Sequence, residues 1–301
     1  MIATVTLNPA VDQNCRIDKL CVGEVNRLEE TERRAGGKGI NVTRVLRKFH
    51  TPVAALGFLG GNNGKMIEEE MEELGVECFF TPVEGETRVN TNILGRDGTV
   101  TEILEPGPVI TDKELQQFLR CYDGVLEQCE MVVLSGSLPA GVPGDLYAVL
   151  IMRAGMFGVK TVLDTSGAAL AKGIKAVPYM VKPNINELAQ WAGAESLSRE
   201  AAKQEAEKLV RLGISKVVVS MGSEGLIYAD EAGTFFVPAK QVEVKNSVGC
   251  GDTVVASLCM SEVAGEDPET AMEKAVAMAA ANAAGKGGGE FSTAAYLELL
   301  Q

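Results

Sequence analysis

The sequence predicts an α/β fold, a doubly wound and mainly parallel sheet with helices on both faces, together with a small β-sheet. Short apolar runs alternate with helical segments at the spacing of βαβ units; the runs occupy residues 131–134, 161–164, 180–182 and 216–220. Two hairpin-rich stretches, at about residues 10–35 and 86–105, do not fit such a core and predict a separate sheet. No repeat or linker divides residues 1–301, so we expect a single domain.

The remaining elements follow from hydrophobic periodicity and from glycine or proline at their ends. We expect strands at residues 2–7, 53–59, 76–80, 88–94, 100–104 and 235–244, and helices at residues 39–49, 66–74 and 270–284. The small sheet would be a lid if it lies over the carboxyl ends of the parallel strands, because ligands bind at those ends.

Composition excludes several classes of function. A net charge of -13 argues against a surface for nucleic acid or anionic lipid. No apolar run is long enough for a membrane span, and the N-terminus lacks a signal-peptide pattern. The seven cysteines form no Cys-x-x-Cys pair, which favours reduced thiols and a cytoplasmic location. His50 is the single histidine, which argues against histidine-based triads and zinc sites.

A glycine-rich turn at residues 246–252, Asn-Ser-Val-Gly-Cys-Gly-Asp, precedes an apolar helical run and is the strongest functional motif. Free N–H groups at a helix start bind anions, and Gly249 and Gly251 allow a close approach. Asp252 adds a carboxylate that could take a proton from a hydroxyl during phosphoryl transfer. The alternative is that Asp252 simply caps the helix.

Other polar loops follow predicted strands. Residues 36–39, Gly-Gly-Lys-Gly, place a cation among glycines at a helix start, although they match no standard nucleotide signature. Asn184 and Glu187 could hold Mg²⁺ through water, or could form a capping box. The loops at residues 135–139 and 220–225 are weaker candidates, and Asn282 could contact adenine or make a local hydrogen bond.

Taken together, these motifs resemble the PfkB family of ribokinase-like carbohydrate kinases over the whole chain. Residues 36–42 are similar to the family's N-terminal signature and residues 246–252 to its C-terminal one. The motifs at residues 6–12, 135–139 and 182–187 resemble the ketohexose-phosphate branch, which includes 1-phosphofructokinases and tagatose-6-phosphate kinases.

The resemblance implies roles for individual residues. Asp252 would be the catalytic base, and an anion hole would be formed by the amides of Gly249, Cys250 and Gly251. Sugar hydroxyls would be held by Asp12, Gly37 and Asn41, and the phosphate already on the sugar by Lys38, Arg88 and Ser137. ATP would be bound by Lys182, Asn184, Glu187, Ser220, Gly222, Gly225 and Asn282, with Mg²⁺ at Asn184 and Glu187 through water. Cys250 departs from the family, which carries a smaller residue there, and an exposed thiol at this point would be open to alkylation.

The function expected from this resemblance is ATP-dependent phosphorylation of D-fructose 1-phosphate to fructose 1,6-bisphosphate. The Asn-Ser-Val-Gly form of the C-terminal motif favours it, whereas residues 101–108 favour the alternative, tagatose-6-phosphate kinase. A catalytically inactive sugar-phosphate-binding regulator is a rival, disfavoured because binding alone needs no base. An oxidoreductase is disfavoured because the dinucleotide fingerprint is absent. A homodimer formed through the small sheet is expected, because the exposed apolar face of that sheet needs cover.

Overall fold

The structure, a computed structural model, describes residues 1–301. Its thirteen strands are β1 (Ile2–Thr6), β2 (Ala10–Ile17), β3 (Glu30–Gly36), β4 (Val53–Leu59), β5 (Glu77–Pro82), β6 (Arg88–Gly95), β7 (Val100–Leu104), β8 (Met131–Ser135), β9 (Lys160–Asp164), β10 (Met180–Val181), β11 (Lys216–Ser220), β12 (Gly225–Asp230) and β13 (Gly233–Pro238). Nine of them form the main sheet, in the order β13-β12-β11-β10-β9-β8-β1-β4-β5. All neighbours in it are parallel except β11–β12 and β12–β13, which are antiparallel.

The ten α-helices are α1 (Lys38–Lys48), α2 (Gly61–Glu73), α3 (Asp112–Leu126), α4 (Leu146–Met156), α5 (Gly167–Ile174), α6 (Ile185–Ala192), α7 (Arg199–Arg211), α8 (Cys250–Ala264), α9 (Pro268–Ala284) and α10 (Thr293–Leu299). Helices α3 to α7 pack on one face of the main sheet, and α1, α2, α8, α9 and α10 pack on the other. None of the helices has the length and apolar character needed to span a bilayer.

Alternating side chains explain why the sheet is covered on both faces. In β1, Ala3 and Val5 belong to a core of 35 buried residues under α3 to α7. Ile2, on the other side of the same strand, belongs to a second core of 33 buried residues under α1 and α8. Because successive side chains in a strand point to opposite faces, a strand buried on both sides is apolar throughout, as the predicted runs were.

The small sheet contains the other four strands in the order β3-β2-β6-β7. Strand β2 begins at Ala10, directly after the carboxyl end of β1, so the small sheet starts at that edge of the main sheet. Strand β1 lies between β4 and β8, where the chain order reverses, and such a switch point leaves a crevice for ligands. The predicted fold class and the separate small sheet are therefore confirmed.

The predicted strand at residues 235–244 is wrong in its second half. Strand β13 ends at Pro238, because its antiparallel partner β12 supplies pairing for residues 233–238 alone. Residues 242–244 form no strand, and β12 itself was absent from the predicted elements.

Helix α8 is held at its C-terminal half by a partly buried carboxylate. Glu262 accepts hydrogen bonds from Lys160 Nζ at 2.6 Å, Lys216 Nζ at 2.5 Å and the Tyr179 hydroxyl at 2.5 Å. Although burial opposes the charge, these three partners lower the pKa of Glu262 to about 2. These three partners stand at or beside the amino ends of β9, β10 and β11. The C-terminal half of α8 is therefore bound to the amino ends of the parallel strands, whereas α8 begins near their carboxyl ends.

Candidate active site

Helix α8 begins with free backbone donors. Its N-cap is Gly249, and the N–H groups of Gly251 and Asp252 make no hydrogen bond within the protein. The N–H of Cys250, which the resemblance placed in the anion hole, donates to the carbonyl of Ser247 at 3.3 Å. Free amides at the positive end of a helix dipole form a site for an anion.

Gly249 is required by its conformation and by its neighbour. Its φ of 80° is left-handed, and a Cβ there would lie 2.7 Å from the Cα of Gly288. The N–H of Gly288 donates a hydrogen bond to the carbonyl of Val248 at 2.8 Å, so the loop that contains Gly288 is joined to the turn before α8. The turn therefore rests directly on the backbone of residues 287–289, and no side chain fits between them.

The carboxylate of Asp252 does not cap α8, so the capping alternative is wrong. No side-chain capping hydrogen bond is present at this helix start. Instead Oδ2 of Asp252 accepts a hydrogen bond from Nδ2 of Asn41 at 2.8 Å, and the residue is only 5% exposed. One carboxylate oxygen is thus held from α1, while Oδ1 is left without a hydrogen-bond partner in the protein.

The surroundings of Asp252 suit a general base. Burial, followed by the nearby carboxylate of Asp164, raises its pKa to about 6 against the opposing effects of Lys38, the Asn41 hydrogen bond and Lys182. A carboxylate with a pKa of about 6 is ionised at neutral pH and is a stronger base than an ordinary aspartate.

Two lysines share a buried aspartate beside Asp252. The Nζ of Lys38 lies 3.0 Å and the Nζ of Lys182 3.4 Å from Oδ1 of Asp164. Burial alone would raise the pKa of Asp164, but the two ammonium groups hold it below its ordinary value. Lys182 is 3% exposed, and its Nζ would lie 3.3 Å from a Cβ at Gly251, directly below the start of α8.

A second group of polar side chains comes from the small sheet. Asp12 on β2 accepts a hydrogen bond from Nδ2 of Asn90 on β6 at 3.0 Å, and burial raises its pKa. Asp12 packs so closely on the end of β3 that a Cβ at Gly36 would lie 2.2 Å from its Cγ. The next residue, Gly37, is the N-cap of α1, so the Asp12 carboxylate stands beside the start of the helix that carries Asn41.

The two cations that were expected to share one phosphate have different partners within the protein. Arg88 donates from Nε and Nη2 to the carbonyl of Asn8, at 3.2 and 3.0 Å. The side chain of Asn8 in turn donates to Oγ of the exposed Ser137 at 3.3 Å. Lys38, in contrast, contacts Asp164. Arg88 and Ser137 thus share Asn8, whereas Lys38 is paired with Asp164 and lies near Asp252.

At the expected nucleotide end, Asn184 and Glu187 form a complete capping box at the start of α6. Oδ1 of Asn184 accepts from the N–H of Glu187, and Oε2 of Glu187 accepts from the N–H of Asn184, both at 2.8 Å. The capping alternative is therefore confirmed, and Oε1 of Glu187 stays free for another partner. Ser220 lies beside Asn184 at the carboxyl end of β11, and Gly222 lies on an exposed turn after it.

Three other residues make close contacts within the protein. Asn282 is fully buried and makes the local hydrogen bonds, to the carbonyl of Val248 at 3.0 Å and from the N–H of Gly289 at 2.9 Å. A Cβ at Gly225 would lie 2.1 Å from the carbonyl oxygen of Val237, so this glycine packs on β13. Cys250 turns its thiol to the carbonyl of Ala279, and burial raises its pKa. The local hydrogen-bond alternative for Asn282 is therefore confirmed, and the Cys250 thiol is engaged within the protein.

Sequence reasoning missed three members of the site. Asp164 is the last residue of a buried strand, and a charge at the carboxyl end of a parallel strand is a signal that could have found it. Asn8 and Asn90 give weaker signals, because an asparagine after a strand usually forms a turn.

Comparison with known proteins agrees with this geometry. The model of the pfkB family of carbohydrate kinases matches residues 5–295. The chain belongs to the pfkB family. A 1-phosphofructokinase of Bacillus subtilis is 39% identical over 257 residues, which cover 85% of this chain and 84% of that protein.

Solved phosphofructokinase structures share the fold. A possible 1-phosphofructokinase of Thermotoga maritima is 30% identical, with a TM-score of 0.88 over 99% of this chain and 97% of that one. Phosphofructokinase-2 of Escherichia coli, in a complex with potassium, is 25% identical with a TM-score of 0.92 over 99% and 97%. This protein is therefore a sugar kinase of the pfkB family.

Proposed function

We propose that the protein transfers the γ-phosphoryl group of ATP to D-fructose 1-phosphate and forms fructose 1,6-bisphosphate. The observation that carries the proposal is the placement of Asp252. Its buried carboxylate is held at one oxygen by Asn41 and lies beside the free amides at the start of α8. A base and an anion site at one helix start are what transfer of a phosphoryl group to a hydroxyl requires.

In this mechanism Oδ1 of Asp252 accepts the proton of the sugar hydroxyl as that oxygen attacks the γ-phosphorus. The bond from the γ-phosphorus to the bridging oxygen breaks, and ADP leaves with the electron pair. The amides of Gly251 and Asp252 and the ammonium group of Lys182 stabilise the charge on the transferring group. Asp12, oriented by Asn90, holds hydroxyls of the sugar so that the reacting one meets Asp252.

The residues present fit a magnesium ion bound through water. Oε1 of Glu187 is free of the capping box, and Oδ2 of Asp164 is buried without a protein partner. Carboxylate oxygens of this kind accept hydrogen bonds from the water ligands of a hard cation. When bound, Mg²⁺ would neutralise charge on the ATP phosphates. Ser220, Gly222 and the exposed part of the capping-box turn would hold the nucleotide.

Fructose 1-phosphate is favoured as the acceptor by the 39% identical relative and by the Asn-Ser-Val-Gly sequence at residues 246–249. Arg88 and Ser137, which share Asn8, would bind the phosphate that the sugar already carries, together with Lys38. The seven cysteines are all unpaired, which fits a cytoplasmic enzyme working where thiols stay reduced.

The experiment is ADP release with Mg-ATP and four acceptors: fructose 1-phosphate, tagatose 6-phosphate, fructose 6-phosphate and fructose. A kcat/KM highest for fructose 1-phosphate supports the proposal, and one highest for tagatose 6-phosphate assigns the enzyme to that sugar. Absence of turnover with all four, in folded protein that binds ATP, refutes both. Two charge-assisted hydrogen bonds to the phosphate should favour fructose 1-phosphate over fructose by roughly 100-fold or more.

A further inference from the structure

Arg44 is a buried cation one turn beyond Asn41 on α1. Its side chain is 6% exposed and its guanidinium makes four hydrogen bonds. Nη1 donates to Oδ1 of Asn41 at 3.0 Å and to the carbonyl of Gly288 at 2.7 Å. Nη2 donates to the carbonyl of Ala35 at 2.7 Å and to Oε1 of Glu70 at 2.6 Å. No part of Arg44 contacts the crevice residues Asp12, Lys38 or Asp252 directly.

The contact with Asn41 decides which way its amide faces. Arg44 can only donate hydrogen bonds, so the end of the amide that faces it must be the oxygen. The NH₂ end is then turned to Asp252, where Nδ2 lies 2.8 Å from Oδ2. Without Arg44 the amide oxygen loses its donor on this side, so a rotation that carries Nδ2 away from Asp252 becomes less costly.

Arg44 is itself fixed from two further elements. Glu70 on α2 accepts from Arg44 through Oε1, and through Oε2 from the N–H of Ala35 at 2.6 Å. Ala35 belongs to the end of β3, where the small sheet joins α1. These contacts hold the guanidinium in one orientation, and the guanidinium in turn holds the amide of Asn41.

We propose that Arg44 is a positioning residue, which acts through Asn41 to hold the carboxylate of Asp252 with Oδ2 engaged and Oδ1 free for the sugar hydroxyl. The proposal rests on the proposed function, in which Asp252 is the base. It assigns a catalytic consequence to a residue that touches neither substrate nor base.

The charged groups that face Asp252 are Lys38 from α1, Asp164 from β9 and Lys182 after β10. Arg44→Met leaves all three in place and removes the partner of Asn41 Oδ1, together with the hydrogen bonds to Gly288, Ala35 and Glu70. Loss of an oriented hydrogen bond to the ionised carboxylate should raise the titration midpoint of Asp252 by about one pH unit. We expect kcat to fall roughly tenfold through misorientation, with the KM for ATP changed less than about twofold.

The test compares Arg44→Met and Arg44→Lys with Arg47→Met, a control on the same helix. Arg47 also donates to backbone carbonyls, of Leu74 and Thr51, but has no link to Asn41. Each variant is measured by the pH profile of kcat/KM and by ¹³C NMR of protein labelled at aspartate Cγ. The Asp252 resonance is assigned by its loss in Asp252→Asn. Arg44→Lys keeps the positive charge but loses the planar guanidinium that bonds several acceptors at once. It should therefore reproduce much of the rise in the Asp252 titration midpoint.

A double-mutant cycle with Asn41→Ala separates positioning from a general effect on charge or folding. If Arg44 acts through Asn41, Arg44→Met should not move the Asp252 midpoint once residue 41 is alanine. An equal shift in both backgrounds, or no shift in a folded Arg44→Met protein, overturns the proposal. If Arg44→Met does not fold, Arg44→Lys carries the same cycle. Absence of turnover in the wild type would refute the proposed function alone, because the NMR midpoints still decide the role of Arg44.

Discussion

The ammonium group of Lys38 donates a hydrogen bond to Oδ1 of Asp164 at 3.0 Å. Burial disfavours its charge, but the carboxylates of Asp164 and Asp252 outweigh burial, so the pKa of Lys38 is raised. The cation at the start of α1 is therefore held charged between two aspartates, one buried beneath it and one proposed as the base. This arrangement makes Lys38 the cation whose role most needs a direct test.

Lys38→Met should raise the KM for fructose 1-phosphate by about tenfold or more, because one charge-assisted hydrogen bond to the sugar phosphate is lost. Steady-state kinetics with each substrate varied in turn is the measurement, and Lys65→Met, on the exposed surface of α2, is the control. A large loss of kcat at constant KM would instead place Lys38 on the transferring phosphoryl group.

Asp252→Asn should lower kcat by at least about 100-fold, since an amide cannot accept the hydroxyl proton. Calorimetric binding of the sugar phosphate should stay close to wild type, because Asp12, Arg88 and Ser137 are untouched. Asp145→Asn, an exposed aspartate before α4, serves as the matched control. Wild-type turnover in Asp252→Asn would remove Asp252 from the mechanism.

The pH profile of kcat/KM should fall on the acid side with a midpoint of about 6, the pKa of Asp252 in the folded protein. A base works only when deprotonated, so activity is present above this pH and drops about tenfold for each pH unit below it. The profile is measured from pH 4.5 to 8 with ATP saturating. A midpoint near 4 would mean that the base has an ordinary carboxylate environment.

Asp252→Asn should also stabilise the protein at pH 7.5. The pKa of Asp252 is about 6 in the folded protein and 3.8 in the unfolded chain, so folding favours the protonated carboxyl. The free energy of unfolding therefore falls as pH rises from about 4 through 6. At pH 7.5 the ionised, buried carboxylate costs about 3 kcal/mol, which the amide removes. Urea unfolding should show this gain at pH 7.5 and a smaller one near pH 4.5, whereas an equal gain at both would contradict the linkage.

The small sheet should mediate a homodimer. Val100, Ile103 and Leu104 on its edge strand β7 are 50%, 56% and 59% exposed, an apolar surface on an unpaired edge. Light scattering should give twice the 31.9 kDa chain mass, and Val100→Glu should shift the protein toward the monomer. Met156→Glu, at an exposed apolar position on α4, should leave the mass unchanged. A wild-type monomer at working concentration would refute the dimer.

Much of the main sheet could be predicted because its strands are buried on both faces and read as apolar runs. The error at residues 242–244 has a different origin. An alternating pattern shows that a segment could be a strand, but pairing ends where the partner ends, and β12 pairs only as far as Pro238. Strand β12 was missed because a glycine-rich loop precedes it and masks its boundary.

The glycine-rich parts of the candidate site were predictable because close backbone approach leaves a sequence signature. Gly249 and Gly251 are local features of one turn, and their spacing shows in the sequence. Asp164, Asn90 and Arg44 act through partners 78 or more positions away, or through buried contacts between helices, so no spacing reveals them. The partners of Lys38 and Arg88 likewise lie 80 or more positions away along the chain, at Asp164 and Asn8.

The hydrogen bonds of Glu262 fix the axial position of α8. The three strands that bind this carboxylate at their amino ends lead at their carboxyl ends to Asp164, Lys182 and Ser220. Asp252 and Glu262 are ten residues apart on α8, a rise of about 15 Å. The same three strands therefore fix α8 at Glu262 and supply the residues near Asp252 at the other end of the helix. A shift of α8 along its axis would have to break the hydrogen bonds of Glu262 before it could displace the Asp252 carboxylate.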